Sequence, residues 1–154
     1  MPIPKRILLV EDQARDTELT LAALEEHHIA NEVVVVRDGV EALDYLYRRG
    51  KFAGRTPELP VVVLLDIKMP RLNGLEVLRT IKADPLLKRL PVVMLTSSRE
   101  EPDLIQAYEL GVNAYVVKPV DFHQFSDAVR QVGIFWTLLN ELPPIPEPRL
   151  EPGL

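Results

Sequence analysis

The chain has 154 residues, 47% of them hydrophobic and 27% charged, the balance of one ordinary globular domain with a proper core. Eighteen Lys and Arg against 23 Asp and Glu leave a formal net charge of -5, which argues against general binding to nucleic acid or an anionic membrane. There are no cysteines, so disulfides, zinc–thiolate sites and thiol catalysis are excluded.

The N-terminal stretch MPIPKRILLVEDQ has only a short apolar run before acids, so neither a signal peptide nor a membrane anchor is expected and a cytoplasmic location is the default. Arg6 to Val10 (RILLV) reads as a buried strand, and Asp16 to His28 as a helix with Leu21, Leu24 and His28 on one face. Glu32 to Val36 makes a second strand. Asp38-Gly39 then opens a helix over Val40 to Arg49, with Asp38 as its N-cap. The segment GKFAGRTPELP is a loop by composition. Val61 to Leu65 forms a third strand that runs straight into Asp66, and Gly74 to Ala83 a helix that ends near Asp84-Pro85. Pro91 to Leu95 gives a fourth strand, Pro102 to Leu110 a helix closed by Gly111, and Ala114 to Val117 a fifth strand. A long last helix is expected over Asp121 to Leu142, followed by an extended Pro-rich tail, PPIPEPRLEPGL, over 143–154.

Strands apolar along their whole length, alternating with helices, point to a parallel sheet covered on both faces. Right-handed crossovers make it a doubly wound α/β fold, whose site lies beyond the carboxyl ends of the strands. Those ends carry Glu11 and Asp12 after the first strand, Asp66 after the third, Thr96 after the fourth and Lys118-Pro119 after the fifth. With strand order 2-1-3-4-5 the first and third strands are neighbours about 4.8 Å apart, and the three acids converge. Their repulsion favours a hard divalent cation, and Mg2+ suits a few carboxylates alongside phosphate. Lys118 and Thr96 add a positive charge and a hydroxyl donor, a set that fits a phosphoryl group. Taken singly each residue has a plainer role: acids after a strand are often N-caps, and a Lys before Pro is often a solvated loop residue.

The stretches LLVED at 8–12, LLDIKMPRLNG at 64–74, PVVMLTS at 91–97 and YVVKP at 115–119 resemble the receiver domains of two-component response regulators, of which CheY-like proteins are the single-domain form. The resemblance runs over roughly residues 5 to 140 and implies a signalling protein rather than an enzyme. It implies that Asp66 accepts a phosphoryl group from a histidine kinase phosphohistidine, and that Asp12 and Asp66 bind Mg2+ directly. Glu11 acts through water and the backbone carbonyl of Lys68 completes the set. It further implies that Lys118 pairs with the phosphoryl group across a cis Lys118-Pro119 bond. Thr96 hydrogen-bonds the phosphoryl group, and Thr96 and Tyr115 form the switch. The side chains of Lys68 and Ser98 flank the path of attacking water. A phosphate-independent scaffold of the same fold is the alternative. A haloacid-dehalogenase-type phosphatase needs a second acid where Lys68 stands, and a nucleotide-binding module needs a Gly-rich or Ser/Thr-rich loop where EDQARD stands.

On the last helix, Phe122, Phe125, Val129, Val132, Trp136 and Leu139 form an apolar stripe for the sheet. Ile134, Phe135, Leu138 and Leu142 add a second apolar face in its C-terminal half, which suggests a partner surface, most simply that of a symmetric homodimer. No effector domain is expected after Leu142. The segments IFWTLLNELP, KFAGRTPELP and IKADPLLKRLP resemble the stand-alone regulators paired with phytochrome-type histidine kinases, so a bacteriophytochrome is the implied kinase partner.

Overall fold

A computed structural model of the protein describes residues 6–26, 32–97 and 102–131. His27, His28, Ser98, the expected continuation of the last helix to Leu142 with its second apolar face, and the Pro-rich tail expected to be extended lie outside the described residues. The strands are β1 (Arg6–Val10), β2 (Glu32–Val36), β3 (Val62–Asp66), β4 (Val92–Thr96) and β5 (Ala114–Val117). They form one sheet in the order β2-β1-β3-β4-β5, with each neighbouring pair parallel. This is the expected doubly wound topology. Each of the inner strands β1, β3 and β4 is apolar at both parities because helices cover both faces.

The two sets of inward side chains build two cores. Leu8, Val10, Val63, Leu65, Val92 and Met94 pack with residues of α2 (Gly39–Tyr47), α3 (Gly74–Ala83) and α4 (Pro102–Glu109). Ile7, Leu9, Val62, Leu64, Val93 and Leu95 pack with residues of α1 (Ala14–Glu26) and α5 (Phe122–Gln131) on the other face. A one-residue slip of any inner strand would exchange the faces, and since both are apolar it is the fit of side-chain shapes in the two cores, not the apolar pattern, that opposes it. Val10 pairs with Leu65, which makes Glu11 and Asp66 leave neighbouring strands side by side.

Helix ends follow from local chemistry. Asp38 caps α2 by accepting a 2.8 Å hydrogen bond from Glu41 N, and Asn73 with Glu76 forms a reciprocal capping box at α3. Several boundaries differ from the sequence reading by one to two residues, α2 (read as Val40 to Arg49), α4 (read to Leu110) and the start of α5 (read at Asp121) among them. Helix α1 opens at Ala14 rather than Asp16, which places Asp16 inside the first turn. Strands β3 and β4 each begin and end one residue later, at Val62 and Val92 and at Asp66 and Thr96, because ladder pairing with the neighbour outlasts the apolar run. The 50–60 segment contains a 3-10 turn, Gly50–Phe52. Arg55 organises it: the guanidinium donates to the carbonyls of Tyr45, Leu46, Thr56 and Glu58 and lies 4.2 Å over the Tyr45 ring. Composition marks a loop there but not that one arginine satisfies its backbone.

Among the described residues no helix is long and apolar enough to cross a membrane. Gly74 closes the turn after β3, its N–H donating to Ile67 O at 2.7 Å. A Cβ there would overlap the Asp66 carbonyl oxygen and stand 2.9 Å from Ile67 Cα, both backbone atoms that cannot rotate away. Gly74→Ala is expected to destabilise the protein by about 1–3 kcal/mol, the usual range for overpacking. Urea unfolding checks this, and an unchanged midpoint would show that the turn can open at no cost.

Candidate functional site

The carboxyl ends of the inner strands form a cleft of ≈ 200 Å3, with Asp12, Asp16, Asp66, Lys68, Thr96 and Lys118 among its walls. Glu11 is fully buried where β1 ends, its backbone N–H bonded to Val36 O at 3.0 Å and its Oε2 accepting from Gln13 N at 3.2 Å. Asp66 ends β3 and is 7% exposed. Ligand oxygens of Glu11, Asp12 and Asp66 all lie within 4.8 Å of one another. Asp12 Oδ1 is buried with no hydrogen-bond partner. Clustered carboxylate oxygens, beside an unsatisfied oxygen on one of the same residues, fit a hard, oxygen-loving divalent cation.

Lys118 reaches into this cluster from the end of β5. Its Nζ forms ion pairs 2.7 Å from Glu11 Oε1 and 3.2 Å from Asp66 Oδ1. It donates a 3.0 Å hydrogen bond to Asp16 Oδ2. The Lys118-Pro119 peptide is cis, and Lys118 N donates to Thr96 O at 2.7 Å, joining the ends of β4 and β5. Burial and then the Glu11 carboxylate push Asp66 up to about 7, against the pull of Lys118. Burial lowers the pKa of Lys118, but Glu11, Asp66 and Asp16 outweigh it and raise it overall, so Lys118 stays a cation.

The loop from Ile67 to Asn73 is held from below. Arg71, in the left-handed region at φ 68, donates from Nε to Asp38 Oδ2 at 2.9 Å, and its Nη2 lies 2.8 Å from the same oxygen. Burial opposes ionisation of Asp38, yet its bonds from Glu41 N and Arg71 leave it below the ordinary carboxylate range. A Cβ on Gly39 would overlap Leu72 O, so the N-terminus of α2 and this loop touch backbone to backbone.

Of the residues singled out from the sequence, Glu11, Asp12, Asp66, Thr96 and Lys118 converge at the cleft, and Lys68 stands exposed on its wall. Tyr115 lies deeper in β5, half-buried on the same sheet face as Thr96, since Met94 and Thr96 pair with Tyr115 and Val117. Its ring meets that of Tyr108 edge-on, centroids 5.9 Å apart. The sequence reading missed Asp16, which it counted only as the start of a helix. The residue stands four positions after Asp12, in the first turn of α1, and that spacing is the signal that could have found it.

The family model for the response regulator receiver domain matches residues 7–130. The response regulator Rcp1 of Synechocystis sp. is 40% identical over 140 residues, which are 91% of this chain and 94% of that protein. The solved Mn2+-bound form of Rcp1 superposes with a TM-score of 0.71 at 39% identity, over 92% of this chain and 100% of that one. The bacteriophytochrome response regulator AtBRR gives a TM-score of 0.84 at 61% identity, over 91% of this chain and 100% of that one. The phosphorylated cyanobacterial phytochrome response regulator RcpA gives 0.72 at 41%, over 92% of this chain and 100% of that one. Strand order, acidic cluster and extent of match agree, and this chain belongs to the response regulator receiver domain family.

Proposed function

We propose that the chain is a stand-alone response regulator that takes a phosphoryl group from a phosphohistidine of a phytochrome-type sensor histidine kinase onto Asp66. The observation that carries this reading is the position of Asp66, at the end of the central strand, inside the acidic cluster and 3.2 Å from Lys118. The kinase class rests on the likeness to AtBRR and RcpA, both phytochrome response regulators. Glu11, Asp12, Asp66 and the Lys68 carbonyl hold Mg2+, which when bound supplies charge neutralisation on the phosphoryl oxygens. A carboxylate oxygen of Asp66 attacks phosphorus in line. The O–P bond forms as the P–N bond breaks, and the departing imidazole keeps the electron pair and is neutralised by a proton.

Lys118 then pairs with the phosphoryl group and Thr96 donates its hydroxyl to it. The new aspartyl phosphate adds negative charge and strong acceptor oxygens, and movement of Thr96 gives Tyr115 room to rotate. The readout is the surface around α4 and β5, where Tyr115 already meets Tyr108. Residues 1–142 make up the receiver and 143–154 a Pro-rich tail, and the protein acts in the cytoplasm. The net charge of -5 favours protein over nucleic acid as the output partner. Ile134, Phe135, Leu138 and Leu142 form a homodimer surface.

Three outcomes test this reading. Wild type incubated with Mg2+ and phosphoramidate is expected to gain one phosphate by intact mass, and Asp66→Asn none; a label on the variant would remove Asp66 as acceptor. In metal-free buffer the raised Asp66 pKa means that the folded state holds a proton the unfolded chain has lost. Stability is therefore highest below the unfolded value and falls as pH rises through about 7. Asp66→Asn, which cannot ionise, is expected to be more stable than wild type at pH 8 by more than about 1.4 kcal/mol, one pKa unit's equivalent. The gap should narrow at pH 5.5, and urea midpoints that differ equally at both pH values would contradict it. Truncation before Ile134 is expected to convert a dimer to a monomer in light scattering, and a retained dimer mass would move the interface elsewhere.

A further inference from the structure

Lys118 has one partner that the phosphoryl chemistry does not need. An ammonium offers three N–H groups, and carboxylates from three elements crowd it: Glu11 from β1 at 2.7 Å, Asp16 from α1 at 3.0 Å and Asp66 from β3 at 3.2 Å. Any phosphoryl oxygen that pairs with Lys118 has to displace something. The three acids are not equally replaceable. The Glu11 side chain is 0% exposed, so losing the ammonium would strand a buried charge, which is strongly destabilising. The Asp16 side chain is 31% exposed at the rim of the cleft, where water can take the place of the lysine at small cost. Asp66 itself becomes the phosphorylated group.

We infer that Asp16 is a positioning residue that holds Lys118 in the unphosphorylated protein and is exchanged for the phosphoryl group when Asp66 is modified. This rests on the acceptor reading of Asp66. The exchange adds a step before transfer, because Lys118 must leave Asp16 to meet the incoming charge. It adds nothing after transfer, because Asp16 is by then hydrated. The two directions therefore respond differently to removing the Asp16 charge, which a general structural role would not produce.

The test uses the full chain at saturating Mg2+ with phosphoramidate as donor, for wild type, Asp16→Asn, Asp16→Glu and Asp66→Asn. Phosphorylation is followed by intact mass, and loss of phosphate is followed after the donor is removed. Asp16→Asn is expected to phosphorylate about two- to fivefold faster than wild type, the range for losing one partly exposed ion pair. Its rate of phosphate loss should stay at the wild-type value, and Asp16→Glu should restore both wild-type rates. A phosphorylation rate for Asp16→Asn at or below wild type, or equal changes in both rates, would overturn the exchange while leaving the acceptor reading intact. A wild type that takes no phosphate would overturn the acceptor reading, and the exchange with it.

Discussion

Carboxylates at the end of a buried sheet repel one another, and the ammonium of Lys118 is what allows Glu11, Asp16 and Asp66 to share so small a space. Two unit charges 4 Å apart cost about 4 kcal/mol at an effective dielectric of 20. One cation cannot cancel that for a cluster that also contains Asp12, and burial, with the Glu11 charge added to it, leaves Asp66 shifted upward. The site is built to be short of positive charge. A divalent cation with an affinity for oxygen is the natural complement, and Asp12 Oδ1, buried without a partner, is a place for it to bind.

Such a cluster can exist only where the backbone is fixed. The register that sets Val10 beside Leu65 delivers Glu11 and Asp66 together, and the hydrogen bond from Lys118 N to Thr96 O closes β5 onto β4. The chain after Asp66 has to turn at once, which Gly74 permits by bringing α3 against the Asp66 carbonyl. Arg71 bears a positive φ and is tied to Asp38, which already caps α2. A single carboxylate thus serves two elements, and the loop that carries Lys68 is anchored to a helix that takes no part in the cleft.

Most of this was legible in the sequence, for a physical reason. Strands buried on both faces are apolar at every position, so a polar residue at their carboxyl end stands out, and Glu11, Asp12, Asp66, Thr96 and Lys118 were found that way. Asp16 was not, because an acid in the first turn of a helix already has a sufficient explanation in the helix dipole. Asp38 was read as an N-cap and is one, but its bond to Arg71, 33 residues away, has no signature in either local pattern. Arg55 was hidden by the opposite effect: its neighbours Gly54, Thr56 and Pro57 signal a loop, and composition cannot show that the loop is ordered around one guanidinium. What sequence periodicity conveys is the partition between core and surface. Pairings between polar residues far apart in the chain lie outside it.

Among the described residues the two cores lie on opposite faces of the sheet, and the cleft at the carboxyl ends of its strands is where both can be addressed at once. On one face Lys118 binds Asp16 and so reaches α1, whose Ala23 and Leu24 pack in the core shared with α5. On the other, Thr96 and Tyr115 share a face with Met94, and Tyr115 meets Tyr108 of α4. In the reading proposed for Asp66, added negative charge there draws on both Lys118 and Thr96, since the buried Glu11 keeps its hold on the ammonium and a hydroxyl offers one donor. The response then divides by geometry. Movement of Lys118 frees a contact with α1, and movement of Thr96 opens space toward α4, so one chemical event at the centre of the sheet is felt on both of its faces.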